Sequence, residues 1–273
     1  MENRNYIYGG LAALVVIILV IVFWPESQPD VLEPIIIDEP AIEKLVIPAP
    51  VEESVEEVLP ELPPVPPAPR IISAPVDLNS SDDTSRQAAA DLSVQMGRWL
   101  IPAEQIRKWV VFMDRAADGE LQSKHRPWGI KLGGYIASGD EASPRTSSDN
   151  YQRYNKVVNT VNGIAVDKLA YYIDQWAPLF DEAYEELGRD GRFNGRVLLA
   201  LDQVIAAEAL PSVSQRLVRP SVMYKYADVR LESASDIEKL LWRMGPDNAA
   251  KLQAYAQRLR ATMQAPPEYQ SNF

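Results

Sequence analysis

Chemistry in this chain would have to come from carboxylates, arginines and backbone amides, because the usual nucleophiles and metal ligands are scarce. There is no cysteine, so no thiolate, disulfide or thiolate-bound metal is available. The single histidine, His125, lies between Lys124 and Arg126 in a polar stretch, and one imidazole cannot build a multi-histidine metal site. No Gly-x-Ser-x-Gly elbow is present to activate a serine. Glu182 and Glu186 stand four apart, a spacing that suits a pair of acid/base carboxylates but equally the wet side of an amphipathic helix. Gly133-Gly134 lacks the lysine and flanking pattern of a phosphate loop and reads as turn glycines.

Two arrangements are better candidates for binding. Arg243-Met244-Gly245-Pro246-Asp247-Asn248 ends one helix and begins another, which leaves free amides at the new amino terminus with Arg243 and Asn248 close by. Such a corner can hold an anion, or it can be a tight helix-to-helix turn in which Arg243 and Asn248 satisfy exposed carbonyls. Arg153 and Tyr154, just after Asp149 and Asn150, can meet a ligand or pair internally with an acidic face. The candidate binding residues are therefore Arg153, Tyr154, Arg243 and Asn248, with no catalytic residue, metal or cofactor expected.

The elements that would carry these residues are mainly helical. Leu92, Met96, Trp99 and Leu100 recur at helical spacing, and Pro102 sits where a second helix can begin, leading Ile106, Val110 and Met113 to Gly119. A third helix runs from about Asp149 to Gly163 with Tyr154, Val157, Val158 and Val161 inward. Leu169, Tyr172, Ile173, Trp176, Phe180, Ala183, Tyr184 and Leu187 form one stripe opposite Asp181, Glu182, Glu185 and Glu186, interrupted by Pro178, which must kink or restart the helix. Asn194 can cap the next helix. Ser235 and Glu238 form a capping box before Ile237, Leu240, Leu241 and Met244, and Pro246 begins a last helix with Leu252, Tyr255, Leu259 and Met263 inward. Trp128 to Ala137, with Gly133 and Gly134 at its centre, reads as a small hairpin. The fold class is all-α, a single helical-bundle-like domain.

The first residues belong to a different solvent. From Tyr6 to Trp24 no side chain is charged, and in a helix these residues would cover about 28 Å, close to the hydrocarbon thickness of a bilayer. The run ends in Phe23-Trp24-Pro25-Glu26 with no small-x-small cleavage site, so an uncleaved anchor is expected rather than a signal peptide. Arg4 before it and a single cation, Lys44, in the next 45 residues put the amino terminus inside and the remainder outside the cytoplasm. Residues 25–69 then hold 12 of the 22 prolines and eleven acids against Lys44, a composition that forms no core and reads as an extended, disordered tether. The net charge of −11 is thus almost wholly the tether's, and residues 70–273 carry only −1.

The expected organisation is a cytoplasmic tail (1–5), a transmembrane helix (6–24), an acidic proline-rich linker (25–74), a helical domain (75–265) and a tail (266–273). Arg153-Tyr154, the run Pro178 to Gly188, Tyr226-Ala227-Asp228 and Leu241 to Asn248 together resemble an uncharacterised proteobacterial domain-of-unknown-function family, over roughly residues 75 to 262. Its members carry an amino-terminal anchor, a proline-rich linker and a helical domain. The resemblance implies a bacterial envelope protein and brings no activity or site residue with it. The expected function is a non-enzymatic adaptor at the inner membrane, its domain in the periplasm and bound to an envelope protein or cell-wall polymer. A carboxylate-using cell-wall hydrolase is the alternative, and a structural homodimer joined through Gly9 and Ala13 is a further one. No nucleic-acid partner is expected.

Overall fold

The computed structural model describes residues 65–266 and 268, apart from 123, 125 and 213. The expected anchor, most of the linker, the far end of the tail and His125 lie outside the described residues. Among the described residues no helix is long and apolar enough to cross a membrane.

The domain is mainly helical, as the apolar spacing requires. Its packing begins ahead of residue 75. Ile71, Ile72 and Ala74 lie against the core, and the Ile72 amide donates to the Tyr172 hydroxyl at 2.8 Å while Trp176 Nε1 donates to the Ile72 carbonyl at 3.1 Å. Helix α1 spans Asp82–Leu92, with Asp82 and Asp83 favourably placed at its positive end. The chain breaks at Ser93 (φ −161°, ψ 127°), and α2, Val94–Trp99, folds back so closely that a Cβ on Gly97 would lie 2.7 Å from that of Ala90. Helix α3, Gln105–Ala117, begins three residues after Pro102 rather than at it. The cap comes from far along the chain: the Asp82 carboxylate accepts from the amides of Glu104 (2.8 Å) and Gln105 (2.7 Å), the donors that α3 leaves unpaired.

The region from Trp128 to Ala137 is not a hairpin. Trp128 forms a lone bridge with Leu100, and the hairpin lies further on, joining β1 (Ala137–Ser138) to β2 (Arg145–Thr146). Helix α4 (Gln152–Asn162) follows, then α5 (Val166–Gln175) and α6 (Ala177–Glu185). Pro178 produces a restart, with Trp176 (φ −97°, ψ 3°) as the joint, and the stripe is buried except for Leu187, which lies past the end of α6 and is exposed. Helix α7, Phe193–Ala206, is not capped by Asn194; Asp181 instead accepts from the Phe193 amide at 2.9 Å, so this acid is half-buried rather than on the wet side. A second small hairpin pairs β3 (Leu217–Val218) with β4 (Lys225–Tyr226). Then come α8 (Val229–Glu232), α9 (Asp236–Met244) with its Ser235–Glu238 capping box, and α10 (Pro246–Gln264).

Helices α3, α5, α6, α7 and α10 enclose the main core. Trp109 and Phe112 of α3 pack on Trp128 at ring distances of 5.2 and 5.0 Å, which seats the long connection after α3. The two hairpins lie side by side. Arg145 bridges Arg216, the Thr146 amide donates to the Gln215 carbonyl at 2.9 Å, and the Leu217 amide donates to that of Pro144 at 2.8 Å. Leu217 and Tyr226 are buried with Trp242 of α9 in a smaller cluster, so one side of this patch is fastened to the helices.

Candidate functional site

Three of the four candidate residues meet beneath this patch. Arg153, on α4, pairs internally, but with neutral oxygens rather than with the acidic face that its charge suggested. Its Nε donates to the Leu132 carbonyl (3.0 Å), Nη2 to that of Gly133 (2.6 Å) and Nη1 to Asn150 Oδ1 (2.7 Å). Buried Asn150 holds the same strip, accepting from the Ile136 amide at 3.0 Å and donating to the Ile136 carbonyl at 2.7 Å. Residues 132–136 are therefore stapled to the start of α4, with Gly133 at φ +72° inside the strip, and Gly133-Gly134 closes no hairpin.

Tyr154 lies under the guanidinium, fully buried, with its ring centroid 5.8 Å from Arg153 Cζ. Burial raises its hydroxyl pKa, opposed by the positive fields of Arg153 and Arg243. Tyr135 is raised by the same burial and opposed by the same two arginines, and Tyr226 is pushed up to about 12 by burial against the field of Arg243. Burial pushes the Arg153 pKa down, since its partners offer hydrogen bonds without a neutralising charge. Arg153, Tyr154 and Arg243 thus share one neighbourhood, packed with tyrosines.

Asn248 sits in the first turn of α10. Its Nδ2 faces the carbonyls of Tyr151 (3.1 Å) and Met244 (3.0 Å) and Asn155 Oδ1 (3.0 Å). It is the brace of a tight corner, satisfying the carbonyl that α9 leaves open. At that corner Gly245 takes φ 82° and ψ 164°, and a Cβ there would sit 2.8 Å from Cδ1 of the Tyr151 ring and closer still to Cγ and Cδ2. Only glycine allows α4 and the α9–α10 corner to approach so closely.

Beside the corner opens a cleft of about 280 Å³ lined chiefly by Tyr151, Leu210, Leu241, Trp242, Pro246 and Ala249. Two polar side chains in its wall are engaged elsewhere. Trp242 Nε1 donates to the Glu208 carbonyl at 2.7 Å, and Gln253 Nε2 donates to that of Ala207 at 2.9 Å, closing the end of α7. The surface that lines the cleft is mostly apolar.

Glu182 and Glu186, the pair singled out by spacing, have different surroundings. Glu186 is held by Arg107 through both oxygens (2.5 and 2.8 Å), which draws its pKa below the usual range, while Glu182 is exposed. The buried Asp114 pairs with Arg189 at 3.0 Å and Arg196 at 2.8 Å. Among the described residues no group of histidine and carboxylate side chains could hold a metal ion. Spacing does not single out Trp242, Tyr151 and Leu210, because the cleft they line joins three separate segments.

The family model described as "Protein of unknown function (DUF3014)" matches residues 105–260, from the start of α3 almost to the end of α10. No curated protein and no solved structure matches the chain.

Proposed function

The chain belongs to the DUF3014 family, whose description names no activity, and we propose that its described domain is a non-enzymatic binding module that receives an apolar group of an envelope partner in the cleft beside the α9–α10 corner. Residues 6–24 hold it in a bacterial inner membrane, and the proline-rich segment sets it off on the periplasmic side. One observation carries this reading. The groups that could do chemistry are spent as braces, Arg153 and Asn248 on carbonyls and Glu186 on Arg107, while the cleft between Tyr151 and Trp242 stays open.

The location rests on the uncharged run from Tyr6 to Trp24 and on the charge asymmetry around it. The test uses the full chain in its native membrane and purified in detergent. Protease added outside spheroplasts is expected to remove the carboxyl-terminal half, and the purified chain is expected to leave peptidoglycan and ester substrates unchanged. Turnover that disappears in Glu182→Gln or Glu186→Gln would overturn the reading in favour of a cell-wall hydrolase.

A further inference from the structure

The hairpin patch has an outer face as well as the inner one. Leu217 and Tyr226 point inward, and alternation turns Ser138, Arg145, Arg216, Val218 and Lys225 outward, where all five are exposed. Three cations thus share one small face, and Arg219 adjoins them over the Tyr224 ring at 5.3 Å. Arg145 is held by Ser214, through Oγ at 2.7 Å and the carbonyl at 2.8 Å, and among the described residues none of these four cations forms an ion pair. The sequence accounts for this: no acid occurs between Glu208 and Asp228, and none between Glu120 and Asp140. Between the charges stand exposed apolar side chains, Ile136 (47%), Val218 (41%) and Val222 (67%). A domain whose residues 70–273 sum to only −1 has gathered positive charge here.

The chain carries its own complement. Residues 51–61 contain Glu52, Glu53, Glu56, Glu57 and Glu61, no cation, and Val51, Val55, Val58 and Leu59 among them. We propose that this acidic segment docks on the cationic hairpin face of its own domain, carboxylates against Arg145, Arg216, Arg219 and Lys225, valines against Ile136, Val218 and Val222. Reach permits it. Ten Cα-to-Cα steps lead from Glu61 to Ile71, whose neighbour Ile72 is clamped by Tyr172 and Trp176, and ten such steps extend to about 35 Å. A folded domain of about 200 residues has a radius of gyration of about 16 Å, so that span covers most of its surface. Linkage also makes weak attraction sufficient, since a short tether holds the segment at about millimolar effective concentration. Docking draws the domain in toward the bilayer; a more acidic competitor or high salt releases it to the full length of the tether.

Because the chain has no cysteine, two can be introduced for labelling without background. Full-length chain bearing Ser54→Cys and Ser221→Cys, spin-labelled and held in phosphatidylcholine nanodiscs, is measured by pulsed dipolar spectroscopy. At 50 mM NaCl a population with labels under about 25 Å apart is expected, and it should fall at least threefold at 500 mM NaCl. The same loss is expected in Arg145→Glu/Arg216→Glu/Lys225→Glu and in Glu52→Gln/Glu53→Gln/Glu56→Gln/Glu57→Gln; the second set changes none of the described residues. A distance distribution indifferent to salt and to both charge sets overturns the proposal. So does a close population that appears only with phosphatidylglycerol in the disc and persists in the glutamine variant, which would make lipid the ligand of this face.

Discussion

Gly245→Ala tests the corner on which the cleft is built. The backbone there (φ 82°, ψ 164°) belongs to a region that only glycine occupies without strain, at about 1–3 kcal/mol for any other residue. The added methyl would also lie 2.8 Å or less from three ring carbons of Tyr151, and the Tyr151 backbone is held against the corner because its carbonyl is tied to Asn248 at 3.1 Å. Overpacking of that kind adds about 1–3 kcal/mol, so the total is about 2–6 kcal/mol, a large part of the stability of an ordinary domain. Two other glycines separate the contributions. Gly188 has φ +68° with nothing within 4 Å of an added Cβ, so Gly188→Ala should cost about 1 kcal/mol, from backbone strain alone. Gly129 also meets nothing within 4 Å and has no positive φ, so Gly129→Ala should be neutral or slightly stabilising. Urea unfolding followed by tryptophan fluorescence gives the three values. A Gly245→Ala cost no larger than that of Gly188→Ala, or no partial recovery in Gly245→Ala/Tyr151→Ala, would refute the close contact of α4 with the corner.

Arg153→Ala removes three hydrogen bonds to residues 132, 133 and 150 and should destabilise by about 2–4 kcal/mol, with hydrogen exchange accelerated across 132–136; if exchange there is unchanged, the staple is wrong. Tyr172→Phe should cost about 1–3 kcal/mol and speed tryptic cleavage at Arg70, because the hydroxyl both accepts from Ile72 and donates to Asp91 at 2.5 Å; unchanged cleavage would show that residues 71–72 are held by other contacts. Alkaline unfolding carries a sign that can be checked. Burial raises the Tyr226 hydroxyl from 10.0 to about 12, so its contribution is fully present below about pH 10 and is lost as pH rises through about 12. Tyr226→Phe should therefore flatten stability against pH between 10 and 12 by about 2–3 kcal/mol, and an unchanged slope would mean that the hydroxyl is hydrated.

The parts of the fold legible in the sequence are those specified by neighbours in the chain. The stripe along α4, the restart at Pro178, the Ser235–Glu238 box and the Gly245-Pro246 junction all depend on residues within a turn or two of each other. Local spacing misleads where a distant group does the work of a near one. Asp82 caps α3 and Asp181 caps α7, so Pro102 and Asn194, each a reasonable local start, are passed over. The hairpin expected around Gly133-Gly134 is absent for a related reason, since Arg153 and Asn150 tie that strip down from the far side of the β1–β2 loop. Arg153 and Asn248 stand out in the sequence as unusual, yet their carbonyl partners belong to segments that spacing cannot bring together. The cationic face has a sequence signal, two long stretches without an acid, that an average over a nearly neutral domain conceals.

The most direct test of the binding role is site-specific photo-crosslinking of the full chain in its native membrane, with the photoreactive residue at Ala250 or Leu210 on the cleft, at Leu199 on exposed α7 surface as the control, and with Ala249→Trp to fill the cleft. A discrete adduct to an envelope component from the two cleft positions, absent from Leu199 and abolished by Ala249→Trp, is the expected result. Adducts of equal yield from all three positions, or a cleft adduct indifferent to the filling tryptophan, would contradict the account.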